Sequence, residues 1–403
     1  MSSRGVWIAG TYQSDYARNY AREGLEISDM IAEAVAGTLD SAETNPADVE
    51  AIHVGNAFGQ LFTGQGQLGA MPATVNDVLW GKLAARHEAA CASGSIAVLS
   101  AMADIEAGRY DCVLVIGVEQ ERNVPGAQAP QHLAAAAWIG HEGQDATFMW
   151  PYMFSELADE YDRRYDLDDT HLHAIAELNM RNAKANPLAQ TRNWSFGPGS
   201  FAADDTDNPV VEGRLRRTDC SQVTDGTAGV LLVSDRPKDK DKQARIAGWG
   251  HGTAGLSLQA KLDRSHGQPY VFPHVRHVVQ DAFRRAQLPD VTYLDGIETH
   301  DCFSMSEYMA IDHFGITGPG ESWKAVENGD LERDGAIPVN PSGGLIGVGH
   351  PVGASGVRML RDAARQVTGQ AGDTQVSNAR TFATLNIGGS LTTTVSFVVT
   401  RED

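Results

Sequence analysis

HEAACASGSIAVLSAMADIEAGRYDCVLVIGVE, residues 87–119, runs from a cysteine through a turn of small residues into a helical segment and then a continuous apolar run. After Cys91, the residues Ile96, Val98, Leu99, Met102 and Ile105 fall almost all round the helical wheel. That distribution predicts a helix buried on all sides, with Gly108 as its stop. CVLVIGV, rich in β-branched residues, reads as a central strand of a parallel sheet. A buried helix feeding a buried strand is the grammar of an α/β fold. The cysteine at the head of that helix has two readings. A free cysteine is commonly an inert small hydrophobe. Here Ala92, Ser93 and Gly94 let the chain turn tightly, and the thiol would sit at a helix N-terminus. Unpaired N–H groups and the helix dipole there favour a thiolate and can hold an oxyanion.

Working outward, Ile27, Met30, Ile31, Ala34, Val35 and Leu39 recur at helical spacing, with Ser28 or Asp29 near the start. VEAIHVGNAF follows as strand and loop. From about residue 121 to 217 the texture changes to alanines, histidines and acidic runs, which predicts an inserted lobe. TDGTAGVLLVSD returns to strand, and DRPKDKDKQAR is a solvated charged linker. The second half echoes the first. Val275, Val278, Val279, Ala282, Phe283 and Ala286 make an amphipathic helix, and PDVTYLDGIETHDCF follows as strand and loop. FATLNIGGSLTTTVSFVV resembles the surroundings of Cys91, with Asn386 in the place of the cysteine. Two similar halves packed together would explain the echo.

Composition bounds the function. The chain has 403 residues, 42% of them hydrophobic and 21% charged, which suits two or three packed units without metals or disulfides. A net charge of −20 repels nucleic acid. Cys91, Cys112, Cys220 and Cys302 are spread out with no C-x-x-C pair, so neither a zinc pattern nor a disulfide framework is read, and a reducing, cytoplasmic setting is expected. The first apolar run is too short for a signal peptide, no run approaches a membrane span, and VVTRED holds no targeting tripeptide. No membrane partner is expected.

Two further stretches bear chemistry. In NPSGGLIGVGHPVGASGVRML, residues 340–360, four glycines precede His350 and Pro351 follows it. The residue before a proline is pushed to extended geometry, so His350 is presented on a turn before a helix beginning around Ala354. A histidine so placed is a candidate base. In GIETHDCFSMSEY, residues 296–308, His300 and Cys302 are two apart on a loop and can face one cavity; a polar loop with a buried cysteine is the plainer alternative. Asp301 there is either an orienting group or an ordinary turn carboxylate. GQGQLG, Gly64 to Gly69, matches a dinucleotide fingerprint but does not join a strand to an apolar helix. His171 and His173, two apart on a helix, point different ways and are not read as metal ligands. Cys112 and Cys220 are read as structural.

Together these stretches resemble the thiolase family across essentially the whole chain. Cys91-Ala92-Ser93 looks like its nucleophile motif and Gly349-His350-Pro351 like its histidine loop; GNAFGQLFTGQGQ and CSQVTDGTAGVLLVSD are similar to it too. The resemblance implies a five-layered αβαβα sandwich of two similar halves. Residues 1–120 with 218–246 would form one half and 247–403 the other, with 121–217 an inserted loop domain covering coenzyme A. The departures matter. Many thiolases carry an Asn-Glu-Ala-Phe loop and a second catalytic cysteine in a late C-x-G motif. Here the loop is His300-Asp301-Cys302-Phe303 and the late motif Asn386-Ile387-Gly388, a combination similar to the sterol-carrier-protein type of thiolase.

The implied chemistry is acyl transfer between a 3-ketoacyl-CoA and CoA, or its reverse, through an acyl group on Cys91. His350 would be the base, Cys302 the acid/base in place of the missing second thiol, and His300 a partner of His350. The backbone N–H groups of Cys91 and Gly388 would hold the oxyanion, with Asn386 and Asp301 as orienting groups. Arg181, Arg192, Arg216 and Arg217 are candidates for the CoA phosphates, although each also reads as a solvated surface charge. No metal and no cofactor beyond CoA as substrate are implied; a homodimer or homotetramer in lipid metabolism and fatty-acid β-oxidation is. A decarboxylating ketoacyl synthase with a Cys-His-His site, an acyl-CoA-binding scaffold of low activity, and a transferase with an acceptor other than CoA are the alternatives.

Overall fold

The computed structural model describes residues 4–239 and 243–402. The first half runs β1 (Trp7–Gln13), α1 (Ile27–Ala42), β2 (Ala51–Gly55), β3 (Leu83–His87), α2 (Ser93–Glu106) and β4 (Cys112–Glu119). The chain then leaves the sheet for a lobe holding α3 (Met149–Tyr165), α4 (Asp169–Ala183) and a ribbon of β5 (Val210–Glu212) with β6 (Leu215–Arg216). It returns as β7 (Gly226–Val233), hydrogen-bonded directly beside β4. The second half runs β8 (Ala244–Thr253), α5 (Pro273–Ala286), β9 (Gly296–Thr299), α6 (Ser304–Phe314), α7 (Gly344–Val348), α8 (Ser355–Thr368), β10 (Thr381–Gly388) and β11 (Thr393–Arg401). The charged linker expected around residue 240 falls partly outside the described residues.

The strand order is β3-β2-β4-β7-β1-β8-β11-β10-β9. Only Trp7–Arg245 and Ile8–Ala244 pair across the β1/β8 joint, so the sheet is two sheets meeting at a narrow seam. On either side of the seam the plan repeats. β2 is parallel to β4, which is antiparallel to β7, which is antiparallel to β1; β9, β10, β11 and β8 repeat those relations in that order. The CVLVIGV strand is thus parallel to one neighbour and antiparallel to the other, not central to an all-parallel sheet as the sequence suggested. Even β3 has a vestige in the second half, a single parallel bridge between Ile297 and Val339.

Five layers follow from where the apolar faces go. Met30, Ile31 and Val35 of α1 cover the outer face of the first sheet against Ile52, Leu114 and Leu231. Val98, Met102 and Ile105 of α2 share the middle layer with Val357, Leu360 and Val367 of α8, between Val115 and Val230 on one side and Phe382 and Phe397 on the other. Val275, Val279 and Phe283 of α5 cover the outer face of the second sheet, in one cluster with Leu157, Tyr161 and Leu172 of the lobe. Each such side chain, fully buried, contributes about 1.5–3 kcal/mol.

The repeat also corrects one expectation. β10 corresponds to β4, so Asn386, inside β10, is not the counterpart of Cys91. The helix after Cys91 corresponds to α8, and the aligned turns read Cys91-Ala92-Ser93-Gly94 and Gly353-Ala354-Ser355-Gly356. The two helices meet through these glycines: a Cβ on Gly94 would lie 2.8 Å from the Gly353 carbonyl oxygen.

Candidate active site

Three loops converge at the ends of the middle-layer helices. The first, between β3 and α2, carries Cys91. Ala90 takes a left-handed φ of 50°, and the Ser93 hydroxyl closes the turn by donating to the Ala90 carbonyl at 2.6 Å while accepting from the Ala89 N–H at 2.9 Å. The sulfur faces two backbone N–H groups, its own and that of Gly389. Gly389 lies in the turn after β10, next to the Gly388 expected to hold the oxyanion. Lys261 pins that turn, its ammonium donating to the Ser390 and Thr392 hydroxyls, each at 3.0 Å.

The second loop joins α7 to α8 and presents His350. Gly349 before it has φ 117°, a conformation open only to glycine, and its N–H returns to Leu345. The His350 N–H donates to the Thr224 hydroxyl at 3.0 Å. Its Nδ1 lies 2.7 Å from the Ser355 hydroxyl, whose single proton goes to the Pro351 carbonyl at 3.0 Å. Ser355 therefore accepts from Nδ1–H, and Nε2 is left with a bare lone pair. Ser93 and Ser355, at equivalent turns, each donate to a carbonyl three or four residues back.

The third loop follows β9 and carries His300, Asp301 and Cys302, all buried. The Asn386 amide donates to His300 Nδ1 at 3.1 Å, and its oxygen accepts from the Ser95 hydroxyl at 2.8 Å. His300 thus carries its proton on Nε2, the reverse of His350. Asp301 does not touch either imidazole. Its carboxylate accepts from the Leu345 and Ile346 N–H groups and the Asn179 amide, which ties the His300 loop to the helix leading to His350. The Cys302 sulfur lies 3.8 Å from the Ser306 hydroxyl.

The Cys91 sulfur and a nitrogen of each of His300 and His350 lie within 4.8 Å of one another. Cys91, Cys302 and His350 open onto one cavity of 330 Å³. Its walls are Phe58, Phe148, Trp150, Phe154 and Phe303, so the lobe supplies part of the apolar lining. A thiolate and two imidazoles are also a metal-ligand set. The Asn386 hydrogen bond, however, leaves a donor and not a lone pair on His300 Nε2, so as hydrogen-bonded the group is built for protons.

Burial decides the resting charges. It pushes the Cys91 thiol up to about 12, against the pull of the Gly389 N–H. It holds His350 down to about 3, the distant Arg358 charge acting the same way. His300 is held well below the usual imidazole range by burial and by His350, and Cys302 well above the usual thiol range by burial and by Cys91. Two thiols and two neutral imidazoles stand together at the site at rest.

The arginines are dispersed. Arg181 is on Glu332, Arg192 on Asp15 and Arg216 on Asp205. Arg217 alone of the four lines the cavity, at its lobe side, where it donates to the Asp207 carbonyl. His171 pairs with Glu327 and His173 with Asp219, on different sides of α4. Ser355, Thr224, Ser95 and Glu121 escaped the sequence reading. Ser355 alone left a local signal, five residues after a histidine at a helix start.

Comparison with known proteins agrees with this geometry. A family model described as "Thiolase, N-terminal domain" matches residues 6–193, and one described as "Thiolase C-terminal domain-like" matches residues 260–401. An acetyl-CoA acetyltransferase of Methanothermobacter thermautotrophicus is 30% identical, the alignment covering 99% of this chain and 100% of the relative. Sterol carrier protein 2 of Homo sapiens is 25% identical over 97% of this chain and 72% of its own. Among solved structures, an Ltp2-ChsH2(DUF35) aldolase superposes with a TM-score of 0.78 at 19% identity over 98% of both chains. Human mitochondrial 3-ketoacyl-CoA thiolase in complex with CoA superposes with a TM-score of 0.69 at 15% identity over 99% of this chain and 98% of its own. Among the described residues no helix is long and apolar enough to cross a membrane.

Proposed function

The chain belongs to the thiolase family, and on that premise we propose that it is an acyltransferase that exchanges an acyl group between a 3-ketoacyl-CoA and CoA through a thioester on Cys91. The observation that carries the reading is the pairing of one thiol with two imidazoles of opposite tautomer, beside a second thiol on the same cavity. His350 Nε2 takes the Cys91 proton as the sulfur adds to the 3-keto carbon. The N–H groups of Cys91 and Gly388 hold the alkoxide that forms. Breaking the bond between C2 and C3 leaves the acyl group on Cys91 and an acetyl-CoA enolate.

The His300 Nε2–H is the donor available to the enolate's thioester oxygen, and Cys302 gives its proton to C2. Incoming CoA then attacks the acyl-Cys91 thioester, its thiol proton restoring Cys302, and His350 returns a proton to Cys91. An enolate is basic enough to deprotonate even a thiol held high by burial. In the synthetic direction the Cys302 thiolate removes the α-proton of acetyl-CoA. No step calls for a metal or a redox cofactor. Arg217, which lines the cavity, is the arginine assigned to the polar end of CoA, and Arg181, Arg192 and Arg216 would have to leave a carboxylate to join it.

The second thiol favours this reading over a decarboxylating synthase, which would leave Cys302 without work. The test is thiolysis of a 3-ketoacyl-CoA by free CoA, with mass spectrometry of the enzyme for an acyl adduct on Cys91. Acetyl-CoA release and an adduct absent from Cys91→Ala are expected. Carbon dioxide release from a malonyl thioester without thiolysis would replace the reading with the synthase, and binding of acyl-CoA without any adduct would replace it with a scaffold.

A further inference from the structure

Behind the nucleophile lie three buried carboxyl groups, Glu119, Glu121 and Asp225, none more than 1% exposed. Their partners differ. Glu119 accepts from the Asn56 amide and from the N–H groups of Ala57, Phe58 and Gly353. Asp225 accepts from the N–H groups of Tyr20, Glu121 and Arg122. Three or four donors are what a buried negative charge needs. Glu121 has the Val352 N–H at 3.4 Å, a long contact, and the backbone of Thr224.

With the fewest donors and two carboxyl neighbours, Glu121 is the member of the trio that keeps its proton. Burial first, and then the Glu119 charge, push its carboxyl well above the usual range. It is also the member in the wall of the reaction cavity, with Cys91, Cys302 and His350. The same cavity is lined by Phe58, Leu133, Ala136 and Val352, with Ser221, Gln222 and Arg217 also on it. A carboxylic O–H in such a wall requires an acceptor. The chemistry above gives Glu121 no task, because His350 is the base and Cys302 the acid.

We propose that Glu121 is a specificity-determining residue whose carboxyl hydrogen-bonds an oxygen on the acyl group bound to Cys91. The enzyme then selects acyl-CoA substrates with a hydroxyl or oxo group in the first few carbons of the transferred acyl chain over plain alkyl ones. The proposal rests on the acyl-Cys91 reading and adds the substrate class to it. A site built to meet a substrate oxygen discriminates against the analogue lacking it, because its own polar group is then left unpaired.

The experiment compares butyryl-CoA with 3-hydroxybutyryl-CoA as acyl donors. The rate of adduct formation on Cys91 is followed by intact-protein mass spectrometry in the parent, Glu121→Leu and Glu121→Gln. The parent should favour the hydroxylated donor by about tenfold, the equivalent of one hydrogen bond. Glu121→Leu should abolish or invert that ratio, and Glu121→Gln, which still donates, should keep part of it. Both rates are read on one sample, so a partly unfolded variant lowers both and leaves the ratio intact. A parent without preference for the hydroxylated donor, or a Glu121→Leu ratio equal to the parent's, overturns the proposal while leaving acyl transfer standing. Adducts from neither donor overturn the acyl-Cys91 reading itself.

Discussion

The rings of His300 and His350 meet edge to face, with centroids 5.1 Å apart and planes at 85°. Each is held through its Nδ1, His350 by Ser355 and His300 by Asn386, and the two holders impose opposite tautomers. One ring offers a lone pair and the other a proton, so in the proposed reaction the two imidazoles divide base and electrophile between them.

That division makes Asn386 a positioning residue. In Asn386→Leu the amide that accepts from Ser95 and donates to His300 is gone, and His300 is free to place its proton on Nδ1. Cleavage of 3-ketoacyl-CoA, which needs the enolate held, should slow by about 10²-fold. Acyl exchange between acyl-CoA and CoA, which forms no enolate, should change far less. Steady-state thiolysis beside isotope exchange of labelled CoA separates the two; equal losses in both would mean that Asn386 is merely structural.

Cys302 predicts the same split for a different reason. Cys302→Ala keeps the nucleophile, its base and its oxyanion donors but removes the proton source for the enolate. Thiolysis should fall by about 10²–10⁴-fold, the usual range for a lost general acid. The Cys91 adduct from acyl-CoA should still form. Full thiolysis by Cys302→Ala would end its assignment as the acid.

How much of this was legible in the sequence follows from how local each cause is. The turns at Cys91 and His350 could be read because small residues, glycines and a proline fix backbone geometry within a few positions. The change of texture after residue 121 falls between two runs that turn out to be neighbouring strands, β4 and β7. The duplication was seen but misaligned: similarity of small residues around Asn386 suggested a second Cys91, whereas strand order puts Gly353 there. Ser95, Thr224 and Glu121 act across sequence distances of 100 residues or more in space-filled loops, and nothing local marks them. The arginines could not be ranked from sequence for the same reason, since only the folded chain shows that carboxylates stand beside Arg181, Arg192 and Arg216 while Arg217 lines the cavity.

The glycine contact between α2 and α8 sets the distance from Cys91 to His350. A Cβ at position 94 would lie 2.8 Å from the Gly353 oxygen and 3.1 Å from Val357. Gly94→Ala should therefore cost about 1–3 kcal/mol by forcing the helices apart, and thiolysis should drop with the melting temperature. Gly255→Ala, where an added Cβ meets nothing within 4 Å, is the control. Thermal melts of the two variants check the contrast; equal effects would show that the helix contact tolerates a methyl group.

The buried base should also leave a mark on acid stability. An unfolded imidazole titrates near about 6.5, while burial keeps His350 unprotonated down to about 3. Between those values the unfolded chain holds one more proton than the folded one. Stability contributed by keeping His350 neutral is thus present above the unfolded value and lost as pH falls, by about 1.4 kcal/mol per pH unit. The carboxyls of Glu298, Asp301 and Glu307 are raised by burial and pull the other way, so the total pH slope does not isolate the histidine. The difference between the parent and His350→Asn does. Urea unfolding at pH 7 and at pH 5 should show the parent losing about 2 kcal/mol more than the variant. Parallel losses would mean that His350 takes up its proton without unfolding, and the neutral imidazole required of the base would then have to be made by substrate binding.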